Sequence, residues 1–482
     1  MLAHTDTLPT MTTETLDTDY LIVGSGAVGM AFADVLISET QARVLFVDRH
    51  HGPGGHWNDA YPFVRLHQPS AFYGVNSKAL GGGGLDATGL NVGMCERASA
   101  AELLSYYEQL MQGFLASGRV QHFAMCDYQG NYRDEHHFSS LTSGVQRRVR
   151  VHKKVVDTTY LNTAVPSTHP PKYAVAPGLR CVPLNELPRI KSPPSGYVVV
   201  GSGKTGIDAC LWLLEHGANP EHIRWVMPRD AWYMNRATVQ PGMDFFEATF
   251  GALAAQMEAV AQASSVNDLF VRLNAAGVLL RLDDMVQPSM YHGAVISHAE
   301  IALLRQIKDV VRLGRVKAIE AERIVFENGS LPSNPEVLVV DCSASAAERR
   351  PIVPVFAGNT ITPQFVRTVQ PTFSAAFIAH IEANFVDDAE KNQICTVVPL
   401  PDTPIDWLRM LGVGMANQQR WSKIKGLSGW IARSRLDGFS ALASQVSATD
   451  TAKMALLQRF GKSAGPAAAR IPQLLADYAR TV

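Results

Sequence analysis

The chain is 482 residues long, carries a formal net charge of −1, and is 46% hydrophobic and 18% charged. This length allows roughly two to four domains with ample core. The balanced charge argues against a global field drawing the chain to nucleic acid or anionic lipid, and the composition is that of a globular protein.

Along the chain, residues 1–18 come first, with Asp6, Glu14 and Asp17 but no basic start or apolar run. They do not read as a signal peptide, and a disordered leader is expected. No apolar stretch approaches a membrane span, and Asp34 interrupts the best early one. Six cysteines (Cys95, Cys126, Cys181, Cys210, Cys342 and Cys395) lack any paired or metal-ligand spacing. They point away from a disulfide framework, a zinc site or a dithiol redox centre, and toward a cytoplasmic setting.

The first unit opens with the strand Tyr20-Leu21-Ile22-Val23, followed by a glycine turn, a helix from about Ala27 to Ser38, and the strand Val44-Leu45-Phe46-Val47. Gly24-Ser25-Gly26-Ala27-Val28-Gly29 fits G-x-G-x-x-G between strand and helix. There the first glycine makes the tight turn, the second admits a pyrophosphate, and the third lets helix and strand pack closely. The helix N-terminus offers N–H groups and partial positive charge to phosphates. Asp48 ends the second strand, about 20 residues further on, where a carboxylate accepts from ribose hydroxyls. Arg49 beside it is counted with the cofactor set. Gly81-Gly82-Gly83-Gly84 reads as an exposed loop.

After a proline cluster (Pro183, Pro188, Pro193, Pro194), the pattern repeats with the strand Tyr197-Val198-Val199-Val200 and the turn Gly201-Ser202-Gly203-Lys204-Thr205-Gly206. A helix to about Glu215 and the strand Ile223 to Met227 complete this second unit. A Walker A loop would need glycine where Val198 sits inside the strand, so a nucleotide triphosphatase is excluded. The second strand leads to Pro228-Arg229-Asp230 rather than to an acid at its tip. An arginine there pairs with the 2′-phosphate of NADPH, so Arg229, helped by Arg224, favours NADPH over NADH; a solvated surface arginine is the alternative.

Further along, Arg323 to Ser330 contains Asn328-Gly329, a hairpin signal, and precedes the strand Val337-Leu338-Val339-Val340. From about Thr403 the chain is alanine- and leucine-rich at helical spacing. The expected architecture is α/β: two Rossmann-type dinucleotide-binding domains with a helical C-terminal cover. The expected division is an FAD-binding first part over 19–190, an NAD(P)H-binding domain over 191–322, an FAD-binding second part over 323–402, and the helical region over 403–482.

Two glycine units in one chain imply two dinucleotides, and hydride transfer from nicotinamide to flavin is the economical reason to hold both. Gly54-Gly55-His56-Trp57, with Tyr61-Pro62, Arg65, Ser70 and Tyr73, resembles the Gly-Gly-x-Trp…Tyr-Pro-x-x-Arg segment of class B flavin monooxygenases. The resemblance covers roughly residues 18 to 385. It implies that Gly55, His56, Trp57 and Gln68 lie along the FAD. It also implies that Gly358-Asn359-Thr360 and Thr362-Pro363-Gln364 sit at the flavin's pyrimidine end. In that family NADPH reduces FAD, oxygen adds to the flavin, and the resulting (hydro)peroxide oxidises a small organic molecule. The family's Asp-(four apolar)-Ala-Thr-Gly strand is matched by Glu336 to Ser343, ending in Asp341-Cys342-Ser343. The Baeyer–Villiger fingerprint is absent, and the linker reads Thr168-His169-Pro170-Pro171-Lys172-Tyr173. Ester-forming oxygenation of ketones is thereby disfavoured, while heteroatom or carbon oxidation and plain dehydrogenation stay open.

Candidate catalytic residues are Asn76, His67 and Arg65, with ordinary loop hydrogen bonds or a salt bridge as the alternative for each. Lys204 either reaches a phosphate or points to solvent, and Asp208 either serves the site or complements the helix end. Arg229 to Arg236 either gates cofactor or substrate or forms an interdomain contact. Fifteen histidines show no metal-ligand spacing, and no metal site is expected. The preferred reading is an FAD-dependent, NADPH-using monooxygenase acting on a small molecule and oxygen. Its rivals are a flavin dehydrogenase or reductase and a non-catalytic redox sensor.

Overall fold

The computed structural model describes residues 15–133, 135–344 and 347–481. Strand β1 (Thr15–Val23) starts inside the stretch expected to be a leader, because Thr15 to Thr18 already pair with a later strand. The remainder of that leader lies outside the described residues. Helix α1 (Ala27–Glu39) is buried on nearly every side, and β2 (Val44–Val47) is buried throughout, as befits a central parallel strand. β1 and β2 pair in parallel from Tyr20↔Val44 to Val23↔Val47.

Helix α2 (Ala100–Ala116), started by a Ser99/Glu102 capping box, leads into β3 (Val120–Phe123), which extends the sheet beside β2. The hairpin β4 (Cys126–Tyr132) and β5 (Glu135–Ser140) then delivers β6 (Gln146–Asp157) to the other side of β1, again parallel. The first sheet is thus a parallel β6-β1-β2-β3 core with the hairpin attached.

The second sheet gathers β8 (Arg180–Pro183), reached after the short β7 (Ala174–Val175), with β9 (Tyr197–Val200). Helix α3 (Lys204–Glu215) and β10 (Ile223–Val226) complete the second βαβ unit. An excursion follows through β11 (Ala231–Asn235), α4 (Phe246–Gln262), α5 (Val266–Ala275), β12 (Leu279–Leu280), β13 (Met290–Ile296) and α6 (His298–Leu304). The chain then returns as β14 (Asp309–Val311) beside β10. Next, β15 (Val316–Ile319), β16 (Arg323–Phe326) and β17 (Gly329–Pro332) form a meander, with the hairpin turning at Asn328-Gly329 as its sequence predicts. Finally β18 (Leu338–Asp341) inserts between β8 and β9. The order is β14-β10-β9-β18-β8, all parallel.

These pairings move the expected division of the chain. Residues 180–183, assigned to the first unit, and 323–341, assigned to the flavin domain's second part, belong to the second unit and its attached meander. Only afterwards does the chain rejoin the first sheet, through β19 (Phe356–Ala357) and β20 (Thr360–Ile361), the latter parallel to β6.

Helix α7 (Pro371–Asn384) packs on α1 and is almost wholly buried over its first ten positions. The C-terminal part is helical as expected: α8 (Asp388–Ile394), α9 (Pro404–Trp421), α10 (Leu427–Arg433), α11 (Ser440–Ser444) and α12 (Thr451–Thr481). Its cover is pinned by Arg435, whose guanidinium donates to the carbonyls of Val75 (2.7 Å), Lys78 (2.9 Å), Ala71 (2.8 Å) and Tyr73. Among the described residues no helix is long and apolar enough to cross a membrane.

Candidate cofactor sites

At the first turn, Gly24 has φ +97° and Gly29 has no room for a side chain, since a Cβ there would lie 2.1 Å from the Gly24 carbonyl oxygen. The third glycine therefore lets α1 start against the strand. Gly26 is the N-cap, no side chain caps this end, and no acid occupies the first turn. By contrast, α2, α6 and α9 close their N-termini with capping boxes. An uncapped N-terminus behind a glycine turn suits a pyrophosphate. The Gly54-Gly55 crossing lies directly over it: the Gly54 N–H donates to the Ser25 carbonyl at 2.9 Å, and a Cβ on Gly55 would sit 3.0 Å from the Gly26 Cα.

Asp48 is buried at the end of β2 and already fully engaged. Its Oδ2 accepts from the Ser25 N–H and from Ser25 Oγ (2.9 Å), and its Oδ1 from the His50 N–H (2.7 Å) and His50 Nδ1 (3.0 Å). His50 Nε2 reaches Asp59 Oδ2 at 2.7 Å. Burial alone would raise the Asp48 pKa, but the hydrogen bonds from His50 and Ser25 outweigh it and hold the carboxyl low. The bond to Asp48, against burial and with help from Asp59, pushes His50 up to about 9. A carboxylate offers about four acceptor positions, so a further donor could reach Asp48 only by sharing it with His50 or displacing it.

The other first-unit candidates are distributed unevenly. Trp57 is buried and donates to Tyr73 Oη at 3.0 Å, while burial lowers neighbouring His56 to about 4, leaving it neutral. Arg49 is exposed and pairs with Asp127 at 3.4 Å. Arg65 faces solvent and donates to the Arg97 carbonyl at 2.9 Å. Asn76 Oδ1 accepts from Ser434 Oγ at 2.9 Å, next to the Arg435 clamp. Gln68 is half-buried, and Gln364 donates to the Val353 carbonyl at 2.7 Å. Gln364 also lines a cavity of about 230 Å³ with Tyr160, Ile352, Phe365 and Val398.

The second turn repeats the geometry in a more open form. A Cβ on Gly206 would lie 2.1 Å from the Gly201 carbonyl oxygen, whereas one on Gly203 would meet nothing within 4 Å. Gly203 caps α3 without a side-chain hydrogen bond, so the N–H groups near Lys204 and Thr205 face an accessible approach. Ser202 is buried in the turn. Lys204 does not extend to solvent: its ammonium pairs with Asp208, whose Oδ2 also accepts from Tyr61 Oη at 2.6 Å. Burial lowers the Lys204 pKa in spite of Asp208.

Arg229 is no solvated surface arginine. It forms a two-pronged ion pair with Asp402, at 2.7 and 3.0 Å. Arg224 is likewise engaged, by Asp309 at 2.8 Å and the Pro332 carbonyl at 2.6 Å.

Between the two turns lies a buried polar cluster. His67 is kept neutral by burial and by nearby Lys204, Arg236 and Arg97. Arg236, fully buried, donates to the His67 carbonyl at 3.0 Å and pairs with Glu300 at 2.7 Å. The exit of the second unit therefore makes an interdomain contact at Arg236. Arg97 approaches the same Glu300 at 3.6 Å. Sequence reasoning missed Arg97, Glu300, His50 and Asp402; only Glu300 carried a local signal, the Ser297-x-x-Glu300 capping box. Asp341, beside the Gly201 turn, is buried and accepts from Ser343 Oγ (2.6 Å) and Tyr173 Oη (3.2 Å). No group of acids, histidines and cysteines suited to a metal ion occurs among the described residues.

Residues 22–73 match the model of an NAD(P)-binding Rossmann-like domain. An uncharacterized protein of Mycobacterium tuberculosis is 46% identical over 463 residues, covering 96% of this chain and 85% of the relative. A protein of Mycobacterium bovis matches to the same extent. The chain belongs to the family of these mycobacterial proteins. Among solved structures it is similar to an NADP⁺-bound cyclohexanone monooxygenase from Rhodococcus sp. Phi1, at 12% identity and a TM-score of 0.49, over 80% of this chain and 89% of the other. It is also similar to a flavin-containing monooxygenase from Stenotrophomonas maltophilia, at 11% identity and a TM-score of 0.44, over 79% of this chain and all of the other.

Proposed function

We propose that this chain is an FAD-dependent, NADPH-using oxidoreductase that oxygenates a small organic molecule with molecular oxygen, in a cytoplasmic setting. The observation that carries the reading is the pair of uncapped helix N-termini, each behind a G-x-G-x-x-G turn on its own parallel sheet. In this reading the first unit holds FAD and the second holds the nicotinamide dinucleotide, so hydride has a donor and an acceptor in one chain. FAD, when bound, supplies the redox and oxygen chemistry. The protein's part is to bind, orient and exclude water. Gly26 to Gly29 present N–H groups to the FAD pyrophosphate, and Asp48 receives a ribose by exchange with His50. Trp57 and Tyr73 stiffen the segment crossing the turn. At the second turn, Gly203 and Thr205 receive the nicotinamide coenzyme's pyrophosphate, and neutral His67 adds no charge beside Lys204. NADPH is the preferred coenzyme, with Arg229, just beyond the end of β10, the residue that meets its 2′-phosphate.

The test is spectroscopic. The purified full-length protein is expected to be yellow, and anaerobic NADPH is expected to bleach it. Rapid mixing of the reduced protein with oxygen should then give a transient absorbance distinct from both reduced and oxidised flavin. Direct return to oxidised flavin with stoichiometric hydrogen peroxide, across a panel of candidate substrates, would instead identify a dehydrogenase or oxidase. Failure of NADPH and NADH alike to bleach the flavin would remove hydride chemistry from the second unit.

A further inference from the structure

Three nitrogen-bearing side chains from separate parts of the chain converge on one carboxylate oxygen. Oδ1 of Asp402 lies 2.7 Å from Arg229 Nη2, 2.8 Å from His292 Nε2 and 3.0 Å from Arg349 Nη2, while Oδ2 lies 3.0 Å from Arg229 Nη1. Arg229 follows β10, His292 lies in β13, and Arg349 lies between β18 and β19. Asp402 itself immediately precedes Thr403, the N-cap of α9, and its carbonyl accepts from the Tyr291 N–H at 2.8 Å. Two guanidinium groups against one carboxylate leave positive charge in excess. The side chains of Arg229, Asp402 and Arg349 are 34%, 22% and 51% exposed, so the nest opens to solvent.

Its position gives this nest a meaning. β10 is the second strand of the second βαβ unit, and Arg229 stands just beyond its C-terminal end. In a dinucleotide-binding fold the ribose of the bound coenzyme comes to that strand end, and an arginine there accommodates the 2′-phosphate. The fork that would grip a phosphate in two-pronged fashion already grips Asp402.

We propose that Asp402 is a specificity-determining residue, an internal anion that competes with the 2′-phosphate of NADPH for Arg229. NADPH must displace this carboxylate to gain the contact, whereas NADH, lacking the phosphate, binds without disturbing it. The wild-type chain therefore discriminates between the two coenzymes less than its arginine would allow. Displacement also removes the two-pronged contact among the three that hold Asp402 at the start of α9, leaving His292 and Arg349, so coenzyme identity is transmitted to the C-terminal cover. The hydrogen bonds from Arg229 hold the Asp402 carboxyl well below the usual carboxylate range, so the competitor stays ionised at all working pH values.

The inference rests on the reading of the second turn as a nicotinamide dinucleotide site. Calorimetric titration of the full-length protein with NADP⁺ and with NAD⁺ separates the two. Asp402→Asn is expected to tighten NADP⁺ by about tenfold, the effect of one charge-assisted contact regained, and to leave NAD⁺ within about twofold. Arg229→Ala should abolish that gain when added to Asp402→Asn. An unchanged ratio of the two affinities in Asp402→Asn overturns the proposal while leaving the dinucleotide site standing. Absence of binding by either nucleotide, in wild type and variants, overturns both. Hydrogen exchange on the wild-type protein needs no variant: NADP⁺, and not NAD⁺, should speed exchange in the first turn of α9. Equal effects of the two nucleotides there also count against it.

Discussion

Tyr61 donates its phenol proton to Asp208 at 2.6 Å, and through Asp208 the segment after the first glycine turn is tied to Lys204 at the head of α3. The two dinucleotide units are therefore coupled by a buried charge, since Lys204 and Asp208 are each only 15% exposed.

That burial sets the order in which substitutions should harm the protein. Asp208→Asn leaves a buried ammonium without its counter-ion, a loss of about 3–5 kcal/mol. Tyr61→Phe removes one hydrogen bond to a charged acceptor, about 1.5–3 kcal/mol. Adding Lys204→Met to Asp208→Asn should restore much of the stability, because no unpaired charge remains. Denaturant midpoints of the four proteins check this; a double variant no better than Asp208→Asn would show that the pair does not act as a buried couple.

His50 gives the first unit a pH dependence with a definite sign. Its two ring nitrogens face Asp48 and Asp59, with His56 nearby, and the bond to Asp48 raises it from 6.5 to about 9. A histidine whose folded pKa exceeds its unfolded value contributes stability that is complete below pH 6.5 and lost as the pH rises through 9. After discounting for partial exposure, the contribution is about 1–2 kcal/mol. Urea midpoints measured below pH 6.5 and above pH 9 should fall across that window in the wild type and stay nearly level in His50→Gln. An equal fall in both proteins would assign the dependence elsewhere.

What was legible in the sequence was local. Gly24 to Gly29 and Gly201 to Gly206 announced their turns because strand, glycines and helix are contiguous. Asn328-Gly329 announced its hairpin for the same reason. Pairings between distant segments were not legible. β8 lies beside β18 at the edge of the second sheet, yet Arg180 to Pro183 carry no pattern that names that partner. Arg229 was placed at the coenzyme end of β10, but its partner Asp402 comes from the far side of the chain and could not be seen. Asp48 was identified as the fingerprint acid, while its saturation by Ser25 and His50 depends on rotamers that spacing does not encode.

Arg435 is expected to control the order of the segment beneath the cover. Its guanidinium satisfies carbonyls of Ala71, Tyr73, Val75 and Lys78, none of which lies in an α-helix or a strand. Arg435→Met keeps much of the apolar stem and removes the donors, at a cost of about 2–4 kcal/mol. Limited proteolysis should then cut between residues 71 and 78 well before the sheets unfold. Unchanged protection of that segment would mean that packing of the C-terminal helices alone holds it.

The glycines of the two turns allow folding and cofactor binding to be separated by paired variants. Gly26→Ala puts a Cβ 3.4 Å from the Gly55 Cα, an ordinary contact, and Gly203→Ala puts one in open space. Both proteins should therefore fold, and any loss they show belongs to the ligand whose pyrophosphate the glycine admits. Gly29→Ala and Gly206→Ala instead drive a Cβ to 2.1 Å from the carbonyl oxygens of Gly24 and Gly201, so helix and strand must separate. These two should be poorly folded whatever the ligand. The expected pattern is flavin absorbance lost in Gly26→Ala with native circular dichroism, and flavin kept but nicotinamide coenzyme binding lost in Gly203→Ala. If Gly203→Ala loses flavin and Gly26→Ala keeps it, the assignment of the two cofactors to the two units is reversed. If both fold and both keep flavin and coenzyme, neither turn cradles a pyrophosphate, and the uncapped helix ends must be explained by something other than phosphate.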